Sequence, residues 1–208
     1  MKDQMTIACL DLEGVLIPEI WINLAEKTGI DDLKLTTRDI ADYDELMGKR
    51  LEILDQNGLT LKDFQEVVAK MDPLEGACDF LQWLQKQAEV IILSDTFREF
   101  AMPLIAKLGN PTLFCHSLSV DYDTQRIMDY VLRQDDQKRK AVIALKSLNF
   151  RVLSMGDSYN DLSMLEEAHS GIFFKPTKKI TEERPEFPVM QSYEELKDHL
   201  CSVHGFRP

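Results

Sequence analysis

The chain has 208 residues, enough for one domain of ordinary size or a core with a smaller inserted module, and too few for two large domains. Its 44% apolar and 29% charged residues exclude a largely disordered chain. The formal charge of -12 excludes a surface that grips nucleic acid regardless of sequence, because such binding draws on Lys and Arg neutralising phosphates.

No apolar run reaches the roughly 18 residues of a membrane span, and the opening MKDQMTIACL leads straight into a strand instead of a leader, so a cytoplasmic protein is expected. TIACL (6–10) reads as that strand and stops at Asp11 and Glu13, followed at once by Gly14. From about residue 19 to residue 71 no strand pattern occurs. Instead WINLAEKTG, TRDIADYDELMGKRLEILDQNG and TLKDFQEVVAKM predict three helices, stopped by Gly29, Gly58 and the Asp72-Pro73 step. EGACDFLQWLQKQ predicts another helix, EVIIL (89–93) a strand, and FREFAMPLIAKLG a helix ending at Gly109.

TLFC (112–115) reads as a strand, residues 118–133 as a hairpin turning near Asp123 and Thr124, and QDDQKRKAVIALK as a helix. RVLSM (151–155) and GIFF (171–174) are two further strands, and Ser192 with Glu195 predicts a capping box opening a last helix. Short apolar runs without polar alternation, separated by helices, are how strands of a buried parallel sheet read. The expected architecture is therefore α/β: a Rossmann-like parallel-sheet core from residues 1–14 and 75–208, with a small all-helical module inserted at 15–74. Cys9, Cys78, Cys115 and Cys201 lack metal-ligand spacing and are expected to be buried free thiols without a function.

Ligands of an open parallel sheet bind beyond the carboxyl ends of its strands, so the residues after each run matter most. TIACL ends on Asp11 and Glu13, VIIL on Ser94-Asp95-Thr96, and RVLSM on Gly156-Asp157-Ser158-Tyr159-Asn160-Asp161. Carboxylates gathered on one rim repel one another and demand a cation, and all-oxygen donors favour Mg²⁺. Asp11 is then placed to attack phosphorus as a nucleophile, with Glu13 as proton donor and acceptor. Ser94, nearby backbone N–H groups and a cation from the start of the QDDQKRKAVIALK helix, Lys138 or Arg139, would balance charge on the transferring phosphoryl group. Lys138 is preferred to Arg139 for that cation.

Each residue taken singly has a plainer reading. Asp-x-Glu-Gly is also turn and helix-entry chemistry, Lys138 also one of several solvated charges, and Arg50 also a helix-surface charge. Glu19 is also a helix N-terminal acid, and His116 and His169 have no partner pattern. What favours chemistry is the ordered set of Asp11, Glu13, Ser94, Lys138, Asp157 and Asp161, its acidic and hydroxyl clusters each set at a strand end.

That ordered set resembles the haloacid dehalogenase-like superfamily of phosphoryl-transfer enzymes, from Thr6 to about Phe174. The resemblance implies a nucleophile at Asp11, a hydroxyl motif at Ser94, the lysine at Lys138 and an acidic motif at Asp157 with Asp161 in support. It also implies Mg²⁺ held by Asp11, Asp157 and the backbone carbonyl of Glu13. The helical insert is similar to the cap of the phosphoserine phosphatase branch, which implies that Glu19 takes the substrate amino group and Arg50 its carboxylate. Ser94, Asp95, Lys138 and Asn160 complete the substrate-binding set it implies. DLEGVLIPEIWI, ILSDTF and GDSYNDLSML carry a narrower likeness, to bifunctional phosphoserine phosphatases and homoserine phosphotransferases, and imply transfer to water or to homoserine. Glu13 departs from the superfamily's usual Asp, and its extra methylene is expected to weaken water activation and let an alcohol compete. A phosphomutase, a phosphatase for another small metabolite, and a receiver-like signalling domain are the rival readings. The helical insert and the late G-D-x-x-N-D cluster argue against the last. A homodimer is left open.

Overall fold

The computed structural model describes residues 4–36, 39–40 and 42–208. The first apolar run forms β1 (Thr6–Leu10). Three helices follow, α1 (Ile20–Thr28), α2 (Tyr43–Gln56) and α3 (Leu61–Val68), with a 3-10 turn at Asp31–Lys34 between the first two. Then come α4 (Ala77–Leu84), β2 (Glu89–Phe97), α5 (Arg98–Lys107), β3 (Thr112–Asp121), β4 (Arg126–Val131), α6 (Gln137–Ser147) and β5 (Arg151–Gly156). A 3-10 turn at Tyr159–Asp161 leads into α7 (Leu162–Glu167), β6 (Ser170–Phe174), α8 (Lys178–Glu183), β7 (Val189–Met190) and α9 (Tyr193–His204).

The strands form one seven-stranded sheet in the order β4-β3-β2-β1-β5-β6-β7, parallel throughout except for the β3–β4 pair. The expected α/β class holds. The chain leaves β1 toward β2 on one side and later crosses to β5 on the other, so the carboxyl end of β1 is the switch point where such sheets bind ligands. The first strand shows why its run is uniformly apolar. Ala8 and Leu10 pack on one face with the helices of residues 20–68, while Ile7 and Cys9 pack on the other with Val142 and Phe173. No helix among the described residues is long and apolar enough to cross a membrane.

Local signals explain the helix limits. Gly29 ends α1 at φ +74°, donating its N–H to the Ala25 carbonyl at 2.8 Å, and Asp42 opens α2 by accepting from the Glu45 N–H at 2.9 Å. Thr37, Arg38 and Ala41, part of the expected second helix, lie outside the described residues. Asp39 is a turn residue whose carboxylate accepts from the Thr36 N–H, so the helix starts later than its polar first turn suggested.

Several expectations need correction. TLFC and the first hairpin arm are one continuous strand, β3, which pairs with β2 as far as His116 and with β4 from Ser117 onward. Ser192 accepts from the Glu195 N–H, but Glu195 accepts from Gln191 and not from Ser192, so the reciprocal box is not formed. All four cysteines are free, yet of the four only Cys9 is buried, where burial pushes its thiol up to about 12; Cys78 is exposed. The short α8 and the two-residue β7 carry too little pattern for either to be legible beforehand.

Candidate active site

β1 delivers Asp11 to the rim. Its N–H donates to the Met155 carbonyl at 2.9 Å, extending the pairing with β5 one residue beyond Leu10. On the other side Leu10 pairs with Ile92, so Asp11 and Ser94 lie one and two residues past that pair. Strand β2 continues through Ser94, Asp95 and Thr96 to Phe97, and these residues are not a loop after it. Its register against β3 breaks between Leu93 and Phe97, a local irregularity of the kind that re-aims side chains. The Ser94 Oγ accepts from the Thr96 N–H at 3.2 Å, and its O–H has no acceptor among the described residues.

Lys138, on the first turn of α6, joins these strand ends. Its Nζ lies 2.7 Å from Asp161 Oδ1, 2.9 Å from Asp11 Oδ1 and 3.5 Å from Asp95 Oδ2, with the residue only 2% exposed. Burial works against the ammonium, but Asp11, Asp161 and Asp95 outweigh it and hold it charged. Arg139 points away, to Glu167 and Asp136 at the half-exposed surface, so the cation of the rim is Lys138.

Asp161 is fully enclosed: Oδ1 takes Lys138, and Oδ2 accepts from the N–H groups of Asp157 at 3.0 Å and Ser158 at 3.2 Å. Gly156 is required beside it, since an added Cβ would collide with the Asp161 side chain. At the next strand end the backbone of Gly14, at φ +78°, passes so close to Asp157 that a Cβ there would sit 2.5 Å from its Oδ2.

Asp11, Asp157 and Asp161 each offer an oxygen within 4.8 Å of the others, all three buried. Burial pushes the Asp11 carboxyl well above the usual carboxylate range; Asp161 adds to this, Lys138 opposes it and Asp157 pushes it up again. One ammonium thus faces more buried carboxylate charge than it can balance. Both oxygens of Asp161 are taken by Lys138 and two N–H groups, so within this triad Asp11 and Asp157 are the hard oxygen donors that fit Mg²⁺.

Asp95 is held by four neighbours. Gln137 Nε2 reaches Oδ1 at 3.0 Å and Asn160 Nδ2 reaches Oδ2 at 3.0 Å, beside Lys138 and His116. Burial raises its pKa, but Lys138 and the hydrogen bonds from His116, Gln137 and Asn160 prevail and hold it far below the usual range. His116 Nδ1 accepts from the Arg133 N–H at 3.0 Å, so its proton is on Nε2, which faces Asp95 Oδ1 at 3.5 Å. His169 accepts from the Val152 N–H at 3.0 Å and is structural. The supporting roles of His116 and Gln137 escaped the sequence reading, although both sit next to recognised elements, at the end of the TLFC run and one residue before Lys138.

A second group lies on the helical side. Glu13 Oε1 accepts from the Ile20 N–H at 2.7 Å, so a residue of the rim caps the N-terminus of α1. Burial pushes the Glu13 carboxyl up to about 8; the Glu19 charge adds to this, while the Ile20 N–H, Arg50 and Lys138 oppose it. Arg50 is not the surface charge its helix alone would suggest: it shares the buried face of α2 with Leu46, Met47 and Leu54. Its Nη2 donates to the Leu35 carbonyl at 2.7 Å, and burial lowers its pKa to about 10 against the opposing charges of Glu13, Tyr43 and Glu19. Tyr43 on the same helix donates to the Asp95 carbonyl at 3.2 Å, tying α2 to β2.

A family model described as haloacid dehalogenase-like hydrolase matches residues 5–169. The chain is 60% identical over 193 residues to phosphoserine phosphatase ThrH of Pseudomonas aeruginosa, covering 93% of this chain and 94% of that one. It is 56% identical over 197 residues to a phosphoserine phosphatase of Pseudomonas syringae pv. tomato, covering 95% and 83%. Among solved structures, a phospho-aspartyl intermediate analogue of phosphoserine phosphatase matches with a TM-score of 0.77 at 19% identity over 97% of this chain and all of that one, a likeness of fold.

Proposed function

The chain belongs to the haloacid dehalogenase-like hydrolases, and from that premise we propose that it dephosphorylates phosphoserine through an aspartyl phosphate on Asp11. The observation that carries this reading is the buried contact of Lys138 with Asp11 at 2.9 Å on the switch-point rim, because it sets a fixed positive charge beside the carboxylate that directly follows β1. An Asp11 oxygen attacks phosphorus; the new O–P bond forms as the ester O–P bond breaks. The departing serine oxygen takes its proton from Glu13, whose raised pKa keeps that proton available near neutrality. Glu13 then takes a proton from water as the water oxygen attacks phosphorus, releasing phosphate and restoring the Asp11 carboxylate.

Lys138 and the unfilled O–H of Ser94 hold the phosphoryl oxygens, and Asp161 and Asp95 keep Lys138 charged and aimed. Asn160 serves the same end through Asp95. Asp11, Asp157 and the Glu13 carbonyl would hold Mg²⁺, which when bound neutralises charge on the phosphoryl group. Residues 15–74 act as the cap over the core of 1–14 and 75–208, excluding bulk water, with Glu19 taking the substrate ammonium and Arg50 its carboxylate.

Homoserine is the second acceptor in this reading: its hydroxyl replaces water, loses its proton to Glu13 and becomes phosphohomoserine. What supports it is the position of Glu13, held back on the Ile20 N–H by a side chain one methylene longer than aspartate. The test is incubation with phosphoserine, Mg²⁺ and homoserine, quantifying serine, phosphate and phosphohomoserine. Release of serine and phosphate with phosphohomoserine formed beside them is expected. Absence of serine release overturns the phosphatase reading, and serine and phosphate in equal amounts without phosphohomoserine overturns the transfer alone.

A further inference from the structure

Arg50 is 7% exposed, on the helix face that otherwise buries Leu46, Met47 and Leu54. A guanidinium in such a place is costly unless its five donors are met. Among the described residues no carboxylate lies within ion-pair distance of it. The Leu35 carbonyl takes Nη2 at 2.7 Å, the Met47 sulfur lies 3.8 Å from Nη1, and Nε is buried with no partner. The remaining support is the Trp21 ring, whose centroid lies 4.2 Å below the guanidinium carbon.

Trp21 is itself held. Its ring meets Phe64 of α3 edge-on at 5.0 Å and Phe100 of α5 edge-on at 5.9 Å, both at 82°. The indole therefore presents a fixed face, and a cation resting on that face keeps the edge of its planar fork, with its N–H groups, for something else. Trp21 follows directly on the helix start capped by Glu13, so the same turn that closes on the rim also sets the platform under Arg50.

We propose that Trp21 and the Leu35 carbonyl pre-orient Arg50 as a carboxylate receptor, making Trp21 the positioning residue by which amino-acid phosphates are told from amine phosphates. The proposal rests on the reading of Arg50 given above. Its physical content is pre-organisation: a guanidinium already fixed by a ring and a carbonyl loses less side-chain freedom when it pairs with the substrate. Phosphoethanolamine carries the phosphate ester and the ammonium of phosphoserine without the carboxylate, so it reports everything except this receptor.

The test is the ratio of kcat/KM for phosphoserine to that for phosphoethanolamine in wild type, Trp21→Phe, Trp21→Leu and Arg50→Gln. A ring cation interaction in a desolvated site is worth enough for the ratio to fall roughly tenfold in Trp21→Leu and about threefold in Trp21→Phe, since indole is the better platform. If Trp21→Leu does not fold, the threefold fall in Trp21→Phe decides. Equal losses on both substrates, or an unchanged ratio in Trp21→Phe, overturn the proposal. A ratio that falls in Arg50→Gln but not in the Trp21 variants refutes the positioning role alone; one unmoved in Arg50→Gln refutes the carboxylate pairing and the role of Trp21 with it.

Discussion

The rim around Lys138 and the helical side around Arg50 each bury one cation on an α-helix, but they satisfy it in opposite ways. Lys138 is ringed by Asp11, Asp95 and Asp161, whereas Arg50 meets a carbonyl, a sulfur and an aromatic face. In the first the ammonium is met wholly by carboxylates of the chain, which in the proposed reaction suits a phosphoryl group, the part shared by every phosphate monoester. The second leaves donor capacity unused and suits the part of a substrate that varies. Charge already balanced by the chain positions; charge left without a counterion selects.

The largest expected break of this contrast is Asp11→Asn, which should lower phosphoserine turnover by roughly 10⁴-fold or more while leaving the thermal midpoint at or above wild type, because it removes a desolvated carboxylate. Residual activity within tenfold of wild type would refute the nucleophile. Next comes stability. Lys138→Met strands Asp161 and Asp11 without their cation and should cost about 3–5 kcal/mol in urea unfolding, whereas Arg50→Met strands no carboxylate and should change stability by about 1 kcal/mol or less. Equal costs would mean that the two cations are not differently satisfied.

The pH dependence sharpens the same contrast on the Glu13 side. Its folded pKa of about 8 lies above the ordinary 4.5, so the folded state holds the proton more tightly than the unfolded one. Without divalent cation, that contribution is full below about 4.5 and is lost as pH rises toward 8. Urea midpoints across this range should therefore fall more steeply in wild type than in Glu13→Gln, and identical slopes would contradict the burial argument. The smallest effect is expected for Glu13→Asp. Loss of the bond to the Ile20 N–H should cost about 1 kcal/mol at the start of α1 and shift the ratio of homoserine phosphorylation to phosphate release. An unchanged ratio sinks the idea that Glu13 biases the acceptor.

The residues of the rim were legible in the sequence because each stands at the end of an apolar run, and a parallel sheet brings such ends to one edge. Asp11, Ser94 and Asp157 need only the strand pattern to be found. Residues that act by filling the remaining bonds of those groups carry no such mark. His116 and Gln137 are ordinary polar residues until folding sets them against Asp95, and Trp21 is an ordinary helix aromatic until Arg50 lies on its face. The cysteines show the converse error: an apolar neighbourhood in sequence buried Cys9 but left Cys78 exposed, because burial belongs to a helix face and not to a stretch of chain.

By itself the sequence determined the α/β class and the strands at whose ends Asp11, Ser94 and Asp157 stand, since short-range periodicity and strand-end residues are written in consecutive positions. Only the tertiary structure decided that Lys138 and not Arg139 enters the acid cluster, that Glu13 caps α1, and that Arg50 is buried on an aromatic platform. The physical reason is the same in each case. Helix rotation, strand register and the desolvation of a charge are set by contacts between residues far apart in the chain, and those contacts exist only once the sheet and the helices have packed.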